Sequence, residues 1–140
     1  MSAPVAVAVF NATVLVLETG NARIQAFDVA GNPVRAFKNG TSATVELEKA
    51  AGVEYLDIAV EALGYMYVLS AANGGPTVND YRLDIFTPQG ALLARTTGVA
   101  AARLAVDTFR NVYTLNFASV IGAPRVEPSL SQWVPSTPPV

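Results

Sequence analysis

The chain has 140 residues, a formal net charge of −2, 51% hydrophobic and only 14% charged residues, and neither histidine nor cysteine. That length suits one domain with a real core, and the missing imidazoles and thiols exclude zinc sites, disulfides, serine or cysteine triads and histidine-dependent lyases within this chain. No two basic residues adjoin and the balance is acidic, so the electrostatic footprint of a nucleic-acid binder is absent.

Residues 4–17 are apolar but broken by Asn11 and Thr13, and they lack a basic flank. They fall short of the ~20 residues needed to span a bilayer and read as strands, without a signal peptide. A soluble protein with no membrane partner is expected, in an undetermined compartment. Residues 5–10 and 13–18 are predicted as two strands around an Asn11-Ala12 turn. Residues 22–29 alternate polar and apolar and form a third, entered through Gly20-Asn21, a pair that accepts positive φ. Gly31-Asn32-Pro33 makes the next turn, and residues 34–38 are expected to be the fourth strand.

Residues 43–53 read as a connection with one short helical turn, carrying Glu46 and Glu48. Strands are expected at 54–60 and 65–71 around a turn at 62–64. The insertion at 72–80 is the most turn-rich stretch of the chain, which makes Asn73, Asn79 and Asp80 candidates for a contact loop. Its glycines have neither a lysine nor a following helix, so they do not form a phosphate cradle. Strands follow at 80–87 and 91–96, then at 101–107 and 111–117 around a turn at 108–110. Residues 121–128 read as a proline-spaced loop, 130–134 as one more strand, and 135–140 as a Pro-rich tail unable to join a ladder. The third unit therefore lacks its outer strand.

These pieces repeat. Residues 58–69 align with 104–115 at a constant offset of 46: an apolar triplet, an acid, a turn and a Tyr-containing strand. Residues 7–17 have the same shape with a shorter turn. Arg23 precedes Phe27 by four residues and Gly31 by eight, and Arg82 precedes Phe86 and Gly90 by the same spacings. A period of roughly fifty residues signals a repeat architecture.

At Glu18 to Gly31 the pattern resembles the NHL repeat, with Gly20, Asn21, Arg23, Ile24, Phe27, Asp28 and Gly31 where that motif expects them. The second copy departs from it through the insertion, and the third loses it after Asn116. The resemblance implies an all-β protein: a β-propeller-like segment over residues 1–134, with four-stranded antiparallel blades at about 3–38, 54–97 and 101–134. The same recurrences also suit a different small all-β fold.

Three blades do not close a ring, and an open arc exposes two apolar sheet faces. The expectation is closure by self-association, since the chain starts with Met1 and ends in a linker-like tail; the alternative is that another chain supplies the remaining blades. Glu61 and Asp107 end equivalent strands near the expected channel, where carboxylates suit an oxygen-bound cation; each is also placed to accept hydrogen bonds from the turn that follows it. Arg23 and Arg82 suit an anionic ligand or a local pair with Glu18 or Asp84. Gly20, Gly31 and Gly90 are turn residues, and Phe27 and Phe86 are packing. With no catalytic set and no cofactor indicated, the chain reads as a non-catalytic protein- or ligand-binding scaffold. A metal-dependent propeller lactonase or lyase drawing on Glu61, Asp107, Glu18 or Asn116, or a subunit of a larger assembly, is the alternative.

Overall fold

The computed structural model of the protein describes residues 1–75, 77–99, 101, 103–119 and 126–133. Every regular element among them is a β-strand, apart from a single 3₁₀ turn at Val78–Asp80. The first sheet is an antiparallel meander of β1 (Pro4–Phe10), β2 (Thr13–Glu18), β3 (Arg23–Phe27) and β4 (Thr44–Glu46). The second repeats that order with β5 (Val53–Val60), β6 (Met66–Ala72), β7 (Tyr81–Phe86) and β8 (Leu92–Thr97). In the third, β9 (Arg103–Val106) pairs with β10 (Val112–Ser119), which pairs with β11 (Val126–Trp133).

Alternation along β6 divides its side chains between two apolar layers. On β6, Met66 and Val68 join a cluster with Leu15, Leu17, Ile24 and Ala26 of the first sheet. Tyr67 and Leu69 point the other way, into a cluster with Leu104 and Val112 of the third. The second sheet is thus apolar on both faces because it is covered on both. β5, its first strand, lies beside both β1 and β9, so the first strands of successive sheets are neighbours.

Several local expectations are corrected. Residues 34–38 do not form the fourth strand. Asp28 donates its N–H to the Asn32 carbonyl and Val34 donates to Ala26, but Pro33 has no N–H to extend the ladder. The chain then plugs Phe37 into the core at 2% exposure, and residues 38–40 reverse it with φ of 52°, 55° and 80°. The fourth strand is β4, which pairs Val45 with Ile24, inside the stretch expected to hold a helical turn.

At Gly20-Asn21 neither residue has positive φ; Ala22, at 49°, takes the left-handed position. Gly20 is required for a different reason, because a Cβ there would collide with Ser2. β11 begins earlier than residue 130 and runs through Pro128 opposite Phe117, which an outer strand tolerates since it need not donate to a further neighbour. No strand beyond β11 lies among the described residues. Residues 120–125 and the Pro-rich tail at 135–140 lie outside them.

Candidate functional site

One turn recurs at the same end of all three sheets. In each, residue i donates its N–H to the carbonyl of i+4, and its carbonyl accepts from the N–H of i+3: Asp28–Asn32, Glu61–Tyr65, Thr87–Ala91 and Asp107–Asn111. The i+3 residue is left-handed: Gly31 at φ 90°, Gly64 at 92°, Gly90 at 92° and Arg110 at 66°. This is a three-residue hairpin loop with a bulge residue in the left-handed region. The side chain of i completes it by accepting the loop's inward N–H groups. Asp28 Oδ1 takes those of Ala30 and Asn32, at 3.0 and 2.9 Å. Glu61 Oε1 takes those of Leu63 and Tyr65, at 2.8 and 3.1 Å, and Asp107 Oδ1 those of Phe109 and Asn111, at 2.8 and 2.9 Å.

Where β1, β5 and β9 end side by side, two of these turns, Glu61–Tyr65 and Asp107–Asn111, border an open cleft of about 490 Å³, lined among others by Phe10, Asn11, Glu61, Ala62, Asp107 and Thr108. The structure brings Glu61 and Asp107 together here, but neither offers an idle oxygen. Glu61, 3% exposed, gives its second oxygen to Arg110 Nε at 3.1 Å. That guanidinium lies 5.7 Å over the Tyr65 ring, tying the third sheet to the second. Asp107 Oδ2 accepts from Asn111 Nδ2 at 2.9 Å and from the Tyr113 hydroxyl at 3.2 Å. Partial desolvation works to raise the Asp107 pKa, yet the bonds from Asn111, Phe109 and Tyr113 outweigh it and hold the carboxyl below its ordinary value. Deeper in, burial and the Glu61 charge push the Tyr67 phenol up to about 12. Among the described residues, no three His, Cys, Asp or Glu side chains cluster to hold a metal ion.

The other expected residues lie elsewhere. Arg23 pairs with Glu18 at 2.8 Å. Glu18 is fully buried and also accepts from Ser2 N–H and Asn21 Nδ2. Burial acts to raise its pKa, but Arg23, Ser2 and Asn21 together hold it below 4.5. At the opposite end of the second sheet from the cleft, Asn79, Asp80 and Arg82 line a small pocket of about 160 Å³. Asp80 there caps its own loop, accepting from Thr77 N–H and Oγ1. Asn73 stands apart, with φ of 55° and its N–H on the Gly52 carbonyl. Arg82 lies 3.3 Å from Asp84, which also pairs with Arg95 at 2.9 Å, while Glu48 reaches both arginines. Phe27 is half-buried and Phe86 buried in the core.

Two ties were not foreseen from the sequence. Asp57 Oδ2 accepts the Leu104 N–H of the third sheet at 2.8 Å, and Arg110 reaches Glu61 across the same junction. The repeat offset of 46 was the available signal, since it sets Asp57 and Glu61 in register with Arg103 and Asp107.

No protein-family model and no curated protein matches the chain. Among solved structures it is similar to a protein of unknown function from Bacteroides caccae, at 13% identity and a TM-score of 0.52. The match covers 94% of this chain and 45% of that one, so this chain spans less than half the length of the structure it resembles. At that identity the likeness concerns the fold alone.

Proposed function

We propose that the chain is an arc of a β-propeller with NHL-like blades and that it works as a non-catalytic binding scaffold, completing its ring by association. The observation that carries this reading is the meander set down sheet after sheet with first strands side by side, as they stand around a propeller axis. The acids at the mouth of that axis support binding over catalysis. Their oxygens serve turn N–H groups, Arg110, Asn111 and Tyr113, so none is poised as a general base or metal ligand.

A metal-dependent lactonase or lyase of propeller type is the competing reading, and it needs carboxylate oxygens turned into the cleft. Metal analysis after dialysis against Ca²⁺ and Mn²⁺, with lactone hydrolysis assayed on the same protein, separates the two. The scaffold reading expects substoichiometric metal and no turnover; one tightly held ion per chain with metal-dependent hydrolysis would overturn it.

A further inference from the structure

The three sheets carry one apolar triplet in equivalent places: Val7-Ala8-Val9, Ile58-Ala59-Val60 and Leu104-Ala105-Val106. Its first residue faces the preceding sheet and its alanine the following one. Ile58 and Leu104 have a preceding sheet and are 3% and 9% exposed; Val7 has none and is 61% exposed. Ala59, covered by the third sheet, is 9% exposed, whereas Ala105 is open. Tyr67 and Leu69, at 0%, correspond to half-buried Tyr113 and to Leu115 at 37%. On the first sheet, Val16 pairs with Val7 and Val14 with Val9, extending its open apolar face.

Resting on the propeller reading above, we infer that a second copy of this chain covers both faces, with the third sheet of each copy seated on the first sheet of the other. The two open faces are the two sides of the contact that the molecule already makes twice internally, so the step that lays the third sheet on the second lays the next copy's first sheet on the third. Two such junctions related by a twofold axis close a ring of six sheets.

The new junction differs from the one between the second and third sheets in its polar ties. Arg103 stands in the place of Asp57, and the two-residue Asn11-Ala12 turn carries no counterpart of Arg110. Both the bond to the neighbouring backbone and the buried ion pair are missing there. With those two ties absent the junction leans on apolar burial, so the dimer is expected to dissociate on dilution and to respond little to salt.

A chain without cysteine allows single-cysteine variants to report pairing directly. Mixed Val7→Cys and Ala105→Cys chains, oxidised at a concentration where the two-chain species is populated, are expected to form the 7-to-105 disulfide several-fold over 7-to-7 and 105-to-105. Val7→Lys, a change at an exposed site, should return the mass to 14.7 kDa with the melting transition of the diluted wild type retained. Val29→Lys, at 80% exposure in an outer turn, should leave the dimer intact. Predominant 7-to-7 linkage, or a single-chain mass at every concentration, overturns the pairing and leaves the scaffold reading standing. Stoichiometric metal in the same peak overturns the scaffold reading and leaves the pairing standing.

Discussion

Arg110 occupies, at φ 66°, the position that glycine fills in the other three turns of its kind. It keeps that conformation while its guanidinium holds buried Glu61 across a sheet junction. Arg110→Ala and Arg110→Gly both remove that pair, but only alanine retains the left-handed cost of a Cβ. Both should destabilise, with glycine the milder by about 1 kcal/mol in denaturant unfolding. The acids give a second prediction. Glu18, Asp28 and Asp107 all sit below their ordinary pKa, each held there by hydrogen bonds that outweigh any burial. Stability from a lowered carboxyl is complete above its unfolded value, near 4.5 for Glu18 and 3.8 for the aspartates, and is lost as pH falls through the folded one. With no histidine to titrate, melting temperature should be flat between about pH 6 and 8 and fall below about pH 4. The turn acids were legible from their places at strand ends. The reach of Arg110 to Glu61 was not: the offset of 46 sets Arg110 over the turn glycine Gly64, which marks its place in the turn but not its partner.

At the scale of the element, the instructive stretch is residues 34–38. Its place after the Gly31-Asn32-Pro33 turn suits a strand, yet the segment serves to bury Phe37 while β4 takes over the ladder. Phe37→Ala should cost about 3–5 kcal/mol, far more than loss of an edge-strand residue would, and urea denaturation checks it. The hairpins around Asn11-Ala12 and residues 61–65 were readable because short apolar runs are bounded by turn residues there. β4 was hidden because three residues are too few to show a period. The ties between sheets are predicted to matter as much as those within them. Asp57→Ala leaves the Leu104 N–H without its acceptor at a buried junction, and should cost about 1–3 kcal/mol.

For the whole molecule, the repeat offset exposed the modular plan, since each copy of the triplet lands on the first strand of a sheet. Sequence alone could not show which copies are covered, because Val7 and Leu104 are alike in chemistry and differ only in whether a sheet precedes them. That difference, 61% against 9% exposure, is the physical reason to expect association. The measurement that tests the central claim most directly is light scattering on the native chain across a dilution series from about 100 μM to below 1 μM. The account predicts a species of about 29 kDa, twice the chain mass of 14.7 kDa, that gives way to single chains on dilution and shifts little with added salt. A mass of 14.7 kDa at every concentration would contradict it.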